Sequence, residues 1–379
     1  MQILISFLAV AIVLSILFDA FEAIVLPRRV MRRLRLYRLF YMVTWIPWSA
    51  LARRISSGKR REAILSFFGP LSLLMLLCVW ALGLIAGFAM LQWALASPLH
   101  AANQPINFGT YLYLSGTTFF TLGLGDVTPV SSIGRGLTIV ESGVGFGFLA
   151  LVIGYLPVIY QGFSRREASI SLLDARAGSP PSGTELVRRH GQNMDDLEHL
   201  LREWEKWSAD LMETHLSYPV LCYYRSQHDN QSWLAALTTI LDASAMVIVG
   251  IDGASARQAR LTFAMARHAV IDLAQVFNTS PRPPTPDRLM PDESAQLRRI
   301  LAAAGVTLSV GLTADEKLSE LRQLYEPYVK ALSDYLLMTI PAWIPPSEVH
   351  DNWQTSAWGR ISRGLEVSPL IESQDDEYF

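Results

Sequence analysis

The chain is poor in the residues that build disulfide frameworks, metal sites and redox centres. It holds two cysteines among 379 residues, Cys78 inside an apolar run and Cys222 in the remote C-terminal half, which excludes a disulfide framework. Its histidines show no paired metal-ligand spacing, and no Ser-His-Asp or Cys-His arrangement is visible. No glycine-rich loop follows a strand in the C-terminal half, so a nucleotide-binding domain is not indicated. We therefore expect no enzyme, no cofactor, no resident metal and no nucleic-acid partner.

Acidic residues are missing from one whole region of the chain. Only 17% of the residues are charged and 51% are hydrophobic, a balance that suggests a membrane protein. Between Pro27 and Arg61 there are eleven Arg and Lys and no Asp or Glu, which the net charge of -2 hides. Such a basic cluster favours the cytoplasmic face and contact with anionic lipids. The candidates for lipid contact are Arg28, Arg29, Arg32, Arg33 and Arg35.

Three long runs contain almost no charge. Residues 1–26 are followed, not preceded, by basic residues, which predicts an uncleaved anchor and not a secretory signal. Residues 63–96 hold no charge at all, and as a helix they would be about 51 Å long, more than a ~30 Å hydrocarbon core needs. Residues 136–161 carry only Glu141 as a charged residue. We expect three membrane spans.

Residues 39–52 form a shorter apolar segment whose position is open. The segment is broken by Pro47 and has arginines at both ends, so we interpret it as an interfacial helix. If it spanned the membrane instead, half of the basic cluster would lie outside, against the positive-inside bias. If residues 39–52 form an interfacial helix, we expect the amino terminus on the outer side of the cell membrane and the C-terminal half in the cytoplasm.

The second half of the chain has a soluble, mainly helical pattern after a linker at residues 177–183. Residues 233–249 are apolar enough to imitate a span, but Asp242 interrupts them and a buried core helix is favoured. Three helix faces are predicted: Leu197, Leu200, Leu201, Trp204 and Leu211; then Leu261, Ala264, Met265, His268, Ile271 and Phe277; then Leu318, Leu321, Leu324, Tyr328 and Leu332. The tail at residues 372–379 is acidic and expected to be loose.

A short motif lies between the second and third apolar runs. Residues 108–120 are long enough for a short helix and lead into Thr121, Leu122, Gly123, Leu124, Gly125 and Asp126. Backbone carbonyls can replace the hydration shell of a potassium ion only if successive peptides point toward one axis, which requires unusual dihedral angles. Gly123 and Gly125 reach positive φ at little steric cost. The preceding helix would also direct the negative end of its dipole toward a cation.

The TLGLGD motif resembles the filter of the potassium channel family, whose pattern is TVGYGD. The resemblance covers residues 108–160, continues through Pro129 and the pair Gly134 and Arg135, and takes the preceding span as an outer helix. Leu124 replaces the usual tyrosine, as in one loop of some two-pore potassium channels. Phe120 stands where threonine is frequent, and the helix before the motif has no Glu to pair with the aspartate.

This resemblance implies a role for each residue of the motif. Potassium, as the permeant ion, would bind the backbone carbonyls of Thr121, Leu122, Gly123 and Leu124, and Asp126 would lie at the outer mouth. Gly145 occupies a position where inner helices of the family commonly carry a hinge glycine. A single pore loop per chain implies a homotetramer.

Two residues of the third span suggest further roles. Glu141 is ionisable within a span, so it either faces the cavity and attracts cations or bonds the back of the pore helix near Thr117 or Thr118. Pro157 either kinks the inner helix and shapes a gate or only marks the end of the helix.

The sequence as a whole predicts an all-α, multi-pass membrane protein with a potassium-channel-like pore module. Residues 1–62 would form an anchor and a basic interfacial region, residues 63–165 the pore module, and residues 166–379 a mainly helical cytoplasmic domain for regulation or assembly. We expect a potassium-selective channel. The alternatives are a weakly selective cation channel, given Phe120 and Leu124, and a non-conducting scaffold or sensor whose cytoplasmic domain binds an unknown ligand or partner.

Overall fold

The computed structural model describes residues 1–26, 36–101, 105–191, 193–228, 230–251 and 253–344, and it is mainly helical. The N-terminal half consists of α1 (Gln2–Ala20) with a π-helical turn (Phe21–Val25), α2 (Leu36–Arg53), α3 (Gly58–Ala94), β1 (Leu99–Ala101), α4 (Phe108–Phe119), β2 (Val127–Pro129) and α5 (Ser132–Ala177). The C-terminal bundle consists of α6 (Gly183–Arg189), α7 (Met194–Ser217), a 3-10 helix (Pro219–Tyr223), α8 (Trp233–Gly250), α9 (Ala256–Val276), α10 (Pro291–Ala303), α11 (Leu312–Gln323) and α12 (Glu326–Leu336). The predicted all-α membrane fold is confirmed.

Within these described ranges, four helices are long and apolar enough to cross a membrane: α1 with its π-helical turn, α3, α5 and α8. The first three keep large apolar side chains on the protein surface, such as Phe7, Phe67 and Ile153. Helix α8 differs, because every residue from Trp233 to Val249 is buried among the other helices of the bundle. A helix enclosed in this way has no face left for lipid, so α8 is the core helix that the sequence predicted. The chain is a multi-pass membrane protein.

Helices α1 and α3 pack through small residues. A Cβ on Gly83 would lie 2.4 Å from the Ile16 side chain, and one on Gly87 would lie 2.7 Å from Val13. Without a hydrophobic driving force between helices in lipid, such close approach provides much of the attraction. The buried Asp19 carboxylate also accepts a hydrogen bond from Trp80 Nε1 at 3.0 Å, which joins the same two helices.

Helix α2 lies between α3 and the C-terminal bundle. Its Trp45 ring is 4.8 Å from the ring of Phe68 in α3, and Trp45 Nε1 donates to the carbonyl of Tyr335 in α12 at 3.1 Å. The opposite face exposes apolar side chains, namely Leu39, Met42, Val43 and Ile46. Within the described ranges, α2 is not among the helices long and apolar enough to cross a membrane, which agrees with the interfacial position that the sequence predicts.

Of the three helix faces predicted in the bundle, one agrees with the structure and two differ from it. The predicted face of α7 is buried as expected. In α9, however, Leu261 is 48% exposed, and the buried face mixes small residues such as Ala259 and Ala266 with Phe263 and Leu273. The buried face is therefore rotated away from the predicted one. The third predicted face is divided between α11 and α12, because Pro327 in the first turn of α12 cannot continue the preceding helix.

A buried ion pair joins α8 to the loop before α10. Arg288 Nη2 donates to Asp242 Oδ2 at 2.8 Å and Arg288 Nη1 donates to Glu326 Oε1 at 2.7 Å. The hydroxyl of Tyr325 donates to the other oxygen of Asp242. The aspartate that interrupts the apolar run therefore holds α8, α12 and the loop together.

We expect Asp242→Asn to destabilise the bundle by about 3 kcal/mol or more, because it leaves the buried Arg288 guanidinium without its main charge partner. The apparent Tm of the full-length protein in detergent, followed by tryptophan fluorescence, measures the effect. Asp315→Asn is the control, since this 52% exposed carboxylate pairs with Arg298 at the surface, where an ion pair contributes about 1 kcal/mol or less. Equal Tm values for the two variants would contradict the assigned role of Asp242.

Candidate functional site

Helix α4 is the short helix that the sequence predicts before the TLGLGD motif. It begins at a capping box in which the side chain of Asn107 accepts from the Thr110 amide, and the Thr110 hydroxyl accepts from the Asn107 amide. It ends one residue earlier than predicted, with Phe120 as its C-cap. The motif therefore follows directly from the carboxyl end of α4, where the helix dipole is negative.

The backbone of the motif alternates between left-handed and ordinary conformations. Thr121 has a φ of 56°, Gly123 of 56° and Gly125 of 79°, whereas Leu122 and Leu124 do not have positive φ. This alternation is the dihedral pattern that an extended row of carbonyls facing one side requires. Positive φ at the two glycines agrees with the prediction. Positive φ at Thr121 was not foreseen, because a β-branched residue rarely adopts it.

The carboxyl end of α4 holds the start of the motif. The amides of Leu122 and Gly123 both donate to the carbonyl of Thr117, at 2.8 and 3.4 Å, and the Thr121 amide donates to Thr118 at 3.0 Å. These bonds fix the left-handed turn at Thr121 against its intrinsic strain.

The outer end of the motif is held by a side chain and a strand pair. The Tyr113 hydroxyl in α4 donates to Asp126 Oδ2 at 2.9 Å. Immediately after Asp126, β2 pairs with β1 in an antiparallel register that places Ala101 opposite Val127. Tyr113 thus supplies the aspartate contact that the missing pore-helix Glu would have made. Sequence reasoning missed it because only a carboxylate was sought at this helix.

Glu141 lies on the back of α4 and is fully buried. Its Oε1 accepts a hydrogen bond from the Ser115 hydroxyl, which is also 2.7 Å from the carbonyl of Ile85 in α3. Of the two predicted positions, the structure shows the contact with the pore helix, but the partner is Ser115 and not Thr117 or Thr118. Three helices, α3, α4 and α5, therefore meet at this carboxylate.

Gly145 marks the closest approach of α5 to α4. A Cβ at this position would lie 2.0 Å from the carbonyl oxygen of Phe119, the last residue of α4. The neighbouring Gly143 and Gly147 have open space around them. The glycine is thus required for packing beneath the motif, and its role as a hinge stays a prediction.

Helix α5 does not end near Pro157, since it continues to Ala177 and passes the predicted boundary at residue 165. Its last turns pack against the bundle, where Arg166 Nη1 donates to the Leu221 carbonyl and Nη2 to the Tyr224 carbonyl, both at 2.9 Å. Burial and the adjacent guanidinium hold the pKa of His215 well below its usual range, so its neutral ring lies 3.1 Å from Arg166 Nη1. Whether Pro157 forms a gate stays a prediction.

The motif lies on the surface of the single chain. Phe120, Leu122 and Leu124 are each 60% exposed or more, and the neighbouring part of α5 also exposes large apolar residues such as Phe146. One chain alone therefore leaves the motif uncovered at its surface. The five arginines predicted to contact lipid, Arg28, Arg29, Arg32, Arg33 and Arg35, lie outside the described residues.

Comparison with known proteins supports an ion channel family. Residues 74–161, which include most of α3, all of α4 and the motif, match the family model described as "Ion channel", and this favours a function other than catalysis. The chain is 25% identical over 206 residues to "Uncharacterized membrane protein YdjJ" of Bacillus subtilis, covering 52% of this chain and 58% of the relative. It is 34% identical over 90 residues to "Protein LctB" of Bacillus caldotenax, covering 21% of this chain and 66% of the relative. The chain thus spans less than two thirds of each relative, and no solved structure matches it.

We expect Gly145→Ala to destabilise the protein by about 1–3 kcal/mol, because the added methyl would overlap the Phe119 carbonyl and push α5 away from α4. Gly143→Ala and Gly147→Ala are matched controls on the same helix, and alanine there should be neutral or slightly stabilising. The apparent Tm of each full-length variant in detergent gives the comparison. A Gly145→Ala variant as stable as the controls would show that the close contact is not required.

Proposed function

We propose that the protein is a potassium-selective channel in which residues 121–125 form the selectivity filter. The observation that carries this proposal is the alternation of positive φ at Thr121, Gly123 and Gly125 at the carboxyl end of a short helix. An ordinary turn or an accidental pair of glycines does not require three alternating residues with positive φ. It also does not require hydrogen bonds from the segment to the preceding helix. In the proposal, the carbonyls of residues 121–124 replace the hydration shell of potassium, and Asp126 lies at the outer mouth.

Four chains are needed to complete this site. The filter side chains Leu122 and Leu124 and the apolar face of α5 are exposed in one chain, and an aqueous or lipid environment would not suit a filter backbone. Closed cyclic symmetry around one axis would bury these residues and surround the ion with equivalent carbonyls. We therefore assign a homotetramer to the functional state.

The C-terminal bundle belongs on the cytoplasmic side in this proposal. Arg53, Arg54 and the basic residues 59–61 lie beside the start of α3, next to the bundle, which fits the positive-inside bias. Arg166 fastens the end of α5 to the bundle, so a change in the bundle can move the inner helix directly. This contact supports regulation or assembly as the role of the bundle, with its ligand or partner unknown.

Potassium and sodium flux from proteoliposomes that contain the full-length protein tests the proposal. We expect potassium flux well above sodium flux. Gly123→Ala should abolish it, because alanine at a φ of 56° costs about 1–2 kcal/mol and disturbs the carbonyl row in all four chains. Gly136→Ala is the control, since this glycine in α5 has no neighbouring atom near its Cβ position and should leave flux unchanged.

The other outcomes select between the remaining functions. Equal flux of the two ions would favour the weakly selective cation channel that Phe120 and Leu124 suggest. Flux of neither ion would contradict both channel functions and favour the non-conducting scaffold or sensor. Potassium flux that persists in an assembled Gly123→Ala variant would refute the assignment of the filter.

A further inference from the structure

A basic cavity lies where α2, the start of α3 and the C-terminal bundle meet. Its volume is about 460 Å³, and three arginines from three separate parts of the chain line it: Arg53 at the end of α2, Arg61 in the first turns of α3 and Arg282 in the loop after α9. The rest of its wall comes from residues 333–339, at the end of α12. No part of the filter contributes to it.

The positive charge of this cavity is not balanced within the described residues. No carboxylate of the described residues lies within ion-pair distance of Arg61 or Arg282. Arg61 Nε is buried without a hydrogen-bond partner in this part of the chain. Asp334 is the acidic residue of the wall, and Lys330 already pairs with its carboxylate. The arginines of the wall therefore leave a net positive charge at the cavity, which favours an anionic ligand.

The neighbouring contacts hold this cavity in shape. Arg53 Nη2 donates to the carbonyl of Asp334 at 3.1 Å, which keeps its guanidinium at the rim. Next to the cavity, Arg225 donates to the carbonyl of Leu337 at 3.1 Å and pairs with Glu62 at 3.6 Å. The carbonyls of Asp334, Leu336 and Leu337 thus already accept hydrogen bonds from Arg53 and Arg225.

We propose that this cavity binds a phosphate group. Guanidinium groups match phosphate oxygens in geometry and charge, and they remain protonated at all physiological pH values. The volume lies within the range of about 300–1,000 Å³ that is usual for small-ligand sites. A bound phosphate would be shared by Arg53, Arg61 and Arg282, so it would tie the membrane helices to the bundle.

A lipid headgroup and a free phosphate compound share this chemistry. The position of the cavity favours the headgroup. Arg53 is the last residue of α2, and the exposed face of α2 carries Leu39, Met42 and Val43, which would lie at the membrane surface if α2 is interfacial. A ligand that binds only the folded protein also stabilises it, which gives a readout that does not depend on conduction.

The test follows the apparent Tm of the full-length protein in an uncharged detergent during titration with two probes, dihexanoyl phosphatidic acid and inorganic phosphate. We expect a saturable rise in Tm with the lipid. In Arg61→Gln and Arg282→Gln, the half-saturating concentration should increase about tenfold or more, because each variant loses a hydrogen bond between a guanidinium and the phosphate, and a tenfold increase corresponds to about 1.4 kcal/mol. Because Arg282 is exposed and Arg61 is partly buried, the Arg282 variant is expected to fold even if the Arg61 variant does not. Arg260→Gln, at an exposed arginine of α9 that does not line the cavity, should behave as the wild type.

A response to the lipid alone that both variants weaken supports the headgroup, and a similar response to inorganic phosphate supports a soluble phosphate compound. Both outcomes support a phosphate site. The proposal is overturned if neither probe raises Tm saturably, if both variants respond as the wild type does, or if dihexanoyl phosphatidylcholine has the same effect as the phosphatidic acid. None of these results depends on whether the pore conducts.

Discussion

The structure depends on one constraint, which is that the backbone of residues 121–125 cannot be held by hydrogen bonds between its own groups. In the filter that we propose, carbonyls that face an ion are not available to a helix or a sheet, yet unpaired backbone groups inside a protein are costly. The contacts that hold this segment must therefore come from α4 behind it or from the residues at its two ends. The carbonyl of Thr117 holds the first amides, the Tyr113 hydroxyl holds Asp126, and the β1–β2 pair fixes the chain that follows.

The same constraint explains the contacts that hold α4 in place behind this segment. Helix α4 is itself held by the Ser115 and Glu141 contact and by the close approach at Gly145. A buried carboxylate in a membrane span is expensive, and Glu141 Oε2 has no hydrogen-bond partner among the described residues. Its position where α3, α4 and α5 meet gives a reason to keep it, because it fixes the direction of the helix that precedes the proposed filter.

Sequence reasoning predicted the features that depend on local pattern. The three spans, the short helix before TLGLGD, the positive φ at two glycines and the buried nature of residues 233–249 all follow from hydropathy, length or the steric freedom of glycine. It failed where tertiary contacts decide. Positive φ at Thr121 depends on hydrogen bonds to α4, and the Tyr113 contact joins residues thirteen positions apart. The buried face of α9 mixes small residues with Phe263 and Leu273, and which face is buried depends on the helices that pack against it.

The contacts of α5 connect the proposed filter to the C-terminal bundle. The helix supports α4 at Gly145 and is held in the bundle at Arg166, so the two regions share one continuous helix of 46 residues. Imaging of the full-length protein in potassium-containing detergent solution tests the central claim most directly. The account predicts particles with fourfold symmetry, with residues 121–125 at the axis and ion density between their carbonyls. Monomers, dimers or an assembly with this segment away from the axis would contradict it.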